Sequence, residues 1–404
     1  MANFIKKYRM KILSTIAFFT LCCAHFCSAQ GIFDTTIKPA DHDTSAYISL
    51  LKNKNVALII NQTSMIGNSS LLDVLLRNNI HITKLFVPEH GFRGTADAGA
   101  TVNNATDSAT GTPIISLYGS HKKPTPAELK NVDVMVYDLQ DVGVRFYTYI
   151  STLQYCMEAC GAHGVRFMIL DRPDPNGFYV DGPVLEPQQS SFVGLQKIPI
   201  VYGMTPGEYA NMLCGEKLID SVPELMVIKC KNYDHTKKYN LPTWPSPNLR
   251  SMAAIYAYPS LCLFEGTKIS VGRGTERPFL QFGSPALQSK MPYCFTPLSG
   301  SGAKSPFYEG QKCYGESLSD DASAILQLTN GRIYLKWLID AYHFYPDAKD
   351  SFFSKFFVKL SGTPQLEQQI KNGLSEAAIR SSWQPGIEAF KAIRKKYLLY
   401  NDFE

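Results

Sequence analysis

Short apolar runs alternate with stretches of helical periodicity through the first half of the chain. Residues 56–60, 82–87, 114–118, 132–137, 167–170 and 225–230 are compact and apolar, and each predicts a buried strand. Between them, residues 69–78 carry Leu71, Leu72, Val74, Leu75 and Leu76 at helical spacing, and residues 146–162 form a longer apolar-periodic helix. Thr125-Pro126-Ala127-Glu128 and Thr205-Pro206-Gly207-Glu208 each put a capping hydroxyl before a proline at the first helical position. The second of these predicts a helix running to about Leu218. Strands that alternate with helices imply βαβ units, so the predicted class is α/β, a Rossmann-like N-terminal domain with a mainly parallel sheet.

From Gly182 onward prolines punctuate the chain. Thr243-Trp244-Pro245-Ser246-Pro247-Asn248 reads as a rigid, extended linker. A boundary placed there gives a Rossmann-like domain over 30–240 and a smaller mixed α/β domain over 241–404. In the second domain, a strand is expected around 279–282, with helices at 334–342 and 386–397. No internal repeat and no long low-complexity tract is present.

The N-terminus changes the reading of charge. Lys6, Lys7, Arg9 and Lys11 precede a short apolar stretch over 12–27, and Cys27-Ser28-Ala29 offers small residues for cleavage. Residues 1–29 are therefore expected to be a cleaved signal peptide, with the mature chain periplasmic or secreted. The formal charge is +5, and the four leader cations account for most of it. The near-neutral remainder gives no electrostatic case for nucleic acid, and no later apolar run is long enough to span a bilayer.

Seven of the ten cysteines lie beyond the leader, and none forms a C-x-x-C pair. Cys294 and Cys313 flank a Gly/Ser-rich loop and are a candidate disulfide in an oxidising compartment. Most of the others, including Cys156 and Cys160 on the predicted long helix, read as buried small hydrophobes.

Three predicted strands lead into acids: Val87 to Glu89, Tyr137 to Asp138 and Leu170 to Asp171. In a parallel sheet the carboxyl ends share one edge, where ligands bind, so these acids are expected to converge. Two chemistries use converging carboxylates. One is glycoside hydrolysis by an acid and a second carboxylate. The other is a metal site with oxygen ligands and His90. Phe92, Tyr147, Tyr149 and Trp244 are aromatic faces that suit a sugar, and no His-rich ligand set supports a metal. No Gly-x-Gly-x-x-Gly follows the first strand, so no dinucleotide cofactor is expected. No Gly-x-Ser-x-Gly elbow marks a serine nucleophile. A metal-dependent hydrolase and a non-catalytic binding protein stand as rival classes.

Several longer motifs resemble one family. They are Pro88-Glu89-His90-Gly91-Phe92-Arg93-Gly94, Asp138-Leu139-Gln140-Asp141-Val142-Gly143 through Arg145-Phe146-Tyr147-Thr148-Tyr149, and Leu170-Asp171-Arg172-Pro173-Asp174-Pro175. Pro245-Ser246-Pro247-Asn248, Glu265-Gly266-Thr267 and Gly272-Arg273-Gly274-Thr275 follow in order. Together they resemble the exo-β-N-acetylmuramidases of glycoside hydrolase family 171, over nearly all of the mature chain. The departures are Asp174 where Asn is commoner and Val144 where a small residue is usual. The resemblance implies a catalytic N-terminal domain, a cleft closed by the C-terminal domain, and release of N-acetylmuramic acid from non-reducing ends of peptidoglycan fragments. It implies Glu89 as the catalytic residue; Asp138, Asp141, Asp171 and Glu265 are candidates for a second carboxylate or for hydroxyl binding. His90, Gln140, Asp141, Tyr147, Asn248 and Glu265 are candidate substrate contacts. Arg93, Arg145, Arg172 and Arg273 are options for the lactyl carboxylate, which an arginine meets bidentately.

Overall fold

A computed structural model of the chain describes residues 31–89, 91–92, 104–346 and 351–404; the leader, His90 and Arg93 lie outside them. The strands of the first half are β1 (Asn55–Ile60), the hairpin β2 (Met65–Ile66) and β3 (Ser69–Ser70), β4 (His81–Val87), β5 (Ala105–Thr106), β6 (Pro113–Ser116), β7 (Val134–Asp138), β8 (Arg166–Leu170) and β9 (Leu225–Ile228). Seven of them form the central sheet in the order β5-β6-β4-β1-β7-β8-β9. All its pairings are parallel except that of the two-residue β5 on β6. This is the expected α/β class.

Parallel strands are covered on both faces, and the side chains show it. In β1, Ala57 and Ile59 enter one apolar cluster while Val56, Leu58 and Ile60 enter the other. β7 and β8 alternate in the same way. Both predicted Thr-Pro helix starts carry a reciprocal capping box, at Pro126–Leu129 and at Pro206–Gly215. The long helix is Tyr149–Ala162, starting three residues later than its apolar pattern suggests. The preceding residues make a bridge from Val144 to Val201 instead.

In the second half, β10 (Gln281–Ser284), β11 (Tyr293–Phe295) and β12 (Cys313–Ser317) form an antiparallel sheet of order β10-β12-β11. The last long helix is Glu376–Arg394, capped by Ser375 and carrying Pro385 in its interior. Its first turns escape a sequence reading because proline normally ends a helix. The larger apolar cluster runs from Ile37 to Phe390, so the two halves share one core.

The expected disulfide is absent: all seven described cysteines are free. Across the β11–β12 ladder Cys294 stands opposite Tyr314, and Cys313 opposite Phe295. Cys294 is exposed and Cys313 buried, so their side chains leave opposite faces of the sheet.

Several expected site residues instead hold the interior together. Asp138 is fully buried and accepts from Arg172 Nε at 2.6 Å, while Arg172 Nη2 reaches Asp41 Oδ2 at 2.8 Å. Asp171 is equally buried. It accepts from the Gly207 amide at 2.8 Å, the Thr205 hydroxyl at 2.8 Å and the Tyr400 hydroxyl at 2.7 Å. It thereby ties the start of one helix and the C-terminus to β8. Arg145 is fully buried and donates to four carbonyls, those of Pro183, Ile198, Leu360 and Ser361, at 2.7–2.9 Å. Gln140 donates to the Asp141 and Pro173 carbonyls. Each of these groups is engaged by buried partners, while Asp138 Oδ2, Gln140 Oε1 and Arg145 Nε find none among the described residues.

Asp141 and Asp174 are the least balanced of the buried acids. Asp141 accepts from Tyr202 Oη at 2.5 Å and from the Gly143 amide at 2.7 Å. Asp174 lies against the same glycine: a Cβ on Gly143, whose φ is +73°, would sit 2.1 Å from its Oδ1. Asp141 Oδ1 and Asp174 Oδ2 find no hydrogen-bond partner among the described residues. Burial pushes the Asp141 carboxyl up to about 7. Burial and then the Asp141 charge push Asp174 well above the carboxylate range.

Two expectations follow for stability. Arg145→Met should cost about 3 kcal/mol or more, since it strands buried carbonyls. Chemical denaturation measures this, and a loss near zero would show that the clamp is dispensable. For the acid pair, the folded pKa values exceed the unfolded value of about 4. The native state then holds more protons than the unfolded chain, so stability falls as pH rises through about 5–8. Asp174→Asn, which keeps the shape of the neutral acid, should flatten that fall by up to about a factor of ten in the unfolding constant per pH unit. Parallel melting curves for both proteins across this range would refute it.

Candidate functional site

β4 ends at Val87, Pro88 closes the strand, and Glu89 follows at the carboxyl edge of the sheet. The Gly91 amide turns back to the Pro88 carbonyl at 3.1 Å. Glu89 is half-buried, and the Thr148 hydroxyl donates to its Oε2 at 3.2 Å. Thr148 occupies the N-cap position of Tyr149–Ala162 but makes no capping bond with its side chain. Its hydroxyl turns to Glu89 instead.

A small pocket of about 50 Å³ opens at Glu89, lined also by Phe146, Tyr147, Thr148, Ser246, Leu249, Tyr258, Arg273 and Phe279. Its walls are a chain of edge-to-face rings. Phe146 and Tyr147 meet Tyr258 with centroids 5.5 and 6.1 Å apart, and Tyr258 meets Phe279 at 4.9 Å. Tyr258 comes from the wholly buried helix Met252–Leu261. The stretch expected to be a linker is a wall of this pocket. Tyr147 Oη and Tyr149 Oη both donate to the Pro245 carbonyl, at 2.8 and 3.1 Å, which fixes Ser246 and Leu249 beside Glu89.

Arg273 lies over the Phe279 ring, 4.9 Å from its centroid, and grips Glu265 bidentately at 2.6 and 3.2 Å. Gly272 and Gly274, both at φ +78°, turn the backbone on either side of it. A Cβ on Gly274 would lie 2.5 Å from the Leu298 carbonyl oxygen. The isolated Gly-x-Gly is thus the turn that presents Arg273, with no phosphate role to explain.

Of the residues expected at the site, Glu89, Tyr147 and Arg273 line this pocket, and Glu265 stands just behind Arg273. Asn248 is buried and donates to the Gly302 carbonyl at 2.9 Å. The three strand-end acids do not meet. Glu89 and Asp138 are on strands separated by β1, and both aspartates point into the interior. Sequence reasoning misses Thr148, Tyr258 and Phe279. Thr148 is legible only as a cap, and the two rings read as core. Among the described residues no group of three or more His, Cys, Asp or Glu is arranged to hold a metal ion.

Residues 56–253 match the family described as exo-beta-N-acetylmuramidase NamZ, N-terminal, and residues 256–400 match its C-terminal counterpart. The chain is 40% identical over 380 residues to the peptidoglycan beta-N-acetylmuramidase NamZ of Bacillus subtilis (strain 168), covering 88% of this chain and 89% of that protein. Two crystal structures of DUF1343 family proteins from Bacteroides fragilis NCTC 9343 share the fold. One is 46% identical with a TM-score of 0.84 and covers 91% of this chain and 99% of its own. The other is 28% identical with a TM-score of 0.76 and covers 90% and 99%. With both halves matched in order, the chain belongs to the exo-beta-N-acetylmuramidase NamZ family.

Proposed function

We propose that the protein is an exo-acting glycoside hydrolase that releases N-acetylmuramic acid from the non-reducing ends of peptidoglycan fragments, with Glu89 as its catalytic acid. The observation that carries this reading is Glu89 itself. Its carboxyl is oriented by Thr148 at the mouth of a pocket walled by Phe146, Tyr147, Tyr258 and Phe279. Aromatic faces suit the C–H faces of a pyranose, and a carboxyl among them can protonate a departing glycosidic oxygen. Family membership supplies the sugar class. Arg273 is the described arginine at this pocket, so it is the residue we assign to the lactyl carboxylate. Arg145 and Arg172 are committed to the interior. The periplasm or the cell exterior is the compartment we assign, from the leader.

Glu89→Gln keeps the shape of the side chain and removes its transferable proton. On the natural disaccharide kcat should fall about 10²–10⁴-fold with binding retained. An aryl glycoside, whose leaving group needs less protonation, should lose less. Near-native turnover by this variant would remove Glu89 from the chemistry. N-terminal sequencing of the secreted protein should find a start at or near Gln30; a retained Met1 on a membrane-bound chain would overturn the compartment.

A further inference from the structure

A second, larger pocket adjoins the first. It has a volume of about 360 Å³, is open to solvent, and is lined by Glu265, Ile269, Val271, Arg273 and Phe307 among others. Arg273 lines both pockets, so its pair with Glu265 is the wall between them. Phe307 is a large apolar ring left 48% exposed. The backbone that carries it is nonetheless pinned. The Leu298 amide donates to the Gly274 carbonyl at 2.8 Å, the Gly310 amide to the Pro297 carbonyl at 2.8 Å, and Tyr308 Oη to the Lys268 carbonyl at 3.1 Å. The Tyr308 ring lies against Phe307, with centroids 4.1 Å apart.

An aromatic ring held in place yet left wet forgoes the stabilisation that burial would bring. Lone exposed apolar side chains are common on protein surfaces; what sets Phe307 apart is that it lines a pocket beside Arg273. The pocket offers a ring face and aliphatic walls on one side and a carboxylate–guanidinium pair on the other. A pyranose has the complementary surface, with an apolar C–H face and an equatorial rim of hydroxyls. The inner pocket is a small notch beside the Glu89 carboxyl, and the outer one is several times its size.

We propose that the second pocket receives the sugar on the leaving-group side of the scissile bond, an N-acetylhexosamine, with Phe307 as its stacking platform and Glu265, which lines this pocket and not the inner one, as its polar grip. This rests on the glycosidase reading above and adds to it where the second sugar lies. A substrate that has that sugar should depend on Phe307. One whose leaving group is too small to reach the second pocket should not.

The test is steady-state kinetics of the full chain on N-acetylmuramyl-N-acetylglucosamine and on N-acetylmuramyl fluoride. Phe307→Ala should lower kcat/KM on the disaccharide about tenfold, mainly through KM, and leave the fluoride within about twofold. Phe307→Trp should restore the disaccharide. Equal losses on both substrates, or no loss on the disaccharide, would overturn the inference while leaving the glycosidase reading intact. A wild-type protein that releases no sugar from either substrate would overturn both.

Discussion

The fold depends on keeping its buried charges satisfied, and Arg145 shows how. Its guanidinium is fully buried, and both of its terminal nitrogens donate to carbonyls from two separate regions, around Pro183–Ile198 and at Leu360–Ser361. A buried guanidinium without such acceptors is prohibitively costly. The chain around it therefore has one arrangement that works. Arg145 sits two residues before Tyr147 and three before Thr148, so the clamp that joins the halves also sets the loop that reaches Glu89. Arg172 has the same role after β8, with Asp138 and Asp41 as its partners.

This division of labour separates two kinds of acid at one sheet edge. Asp138 and Asp171 turn inward and serve the loops that follow β7 and β8. Glu89 lies within the Pro88–Gly91 turn after β4, nearer the other edge, and it lines a pocket, whereas Asp138 and Asp171 are wholly buried. The sheet edge places all three, and side-chain direction decides which can meet a substrate. The pair Asp141 and Asp174 has no cation at hydrogen-bond distance among the described residues, and burial pushes both carboxyls up.

The pocket is built from both halves. Glu89, Phe146, Tyr147 and Thr148 come from the parallel-sheet half, Tyr258, Arg273 and Phe279 from the rest. The stretch around Pro245 lies between them as a wall, held by two tyrosine hydroxyls. Its prolines supply stiffness, but the tyrosines decide where that stiffness is used.

Much of this is written locally in the sequence. Apolar runs locate the strands to within a few residues, because strands buried on both faces must be continuously apolar. Two Thr-Pro caps locate their helices, because capping is local chemistry. The motif around Glu89, and the motifs that follow it in order, point to the family. What the sequence did not determine were the partners of side chains far apart in the chain. Arg145, Arg172, Asp138 and Asp171 look like site residues within their motifs, and only the packing shows them to be interior ties. Cys294 and Cys313 look like a pair by spacing, and only the strand register puts them on opposite faces. Tyr258 and Phe279 look like core, and only the approach of the two halves turns their rings into the wall of a pocket. Periodicity and capping depend on neighbours a few residues away, whereas burial, ion pairing and pocket walls are properties of contacts that exist only once the chain has folded.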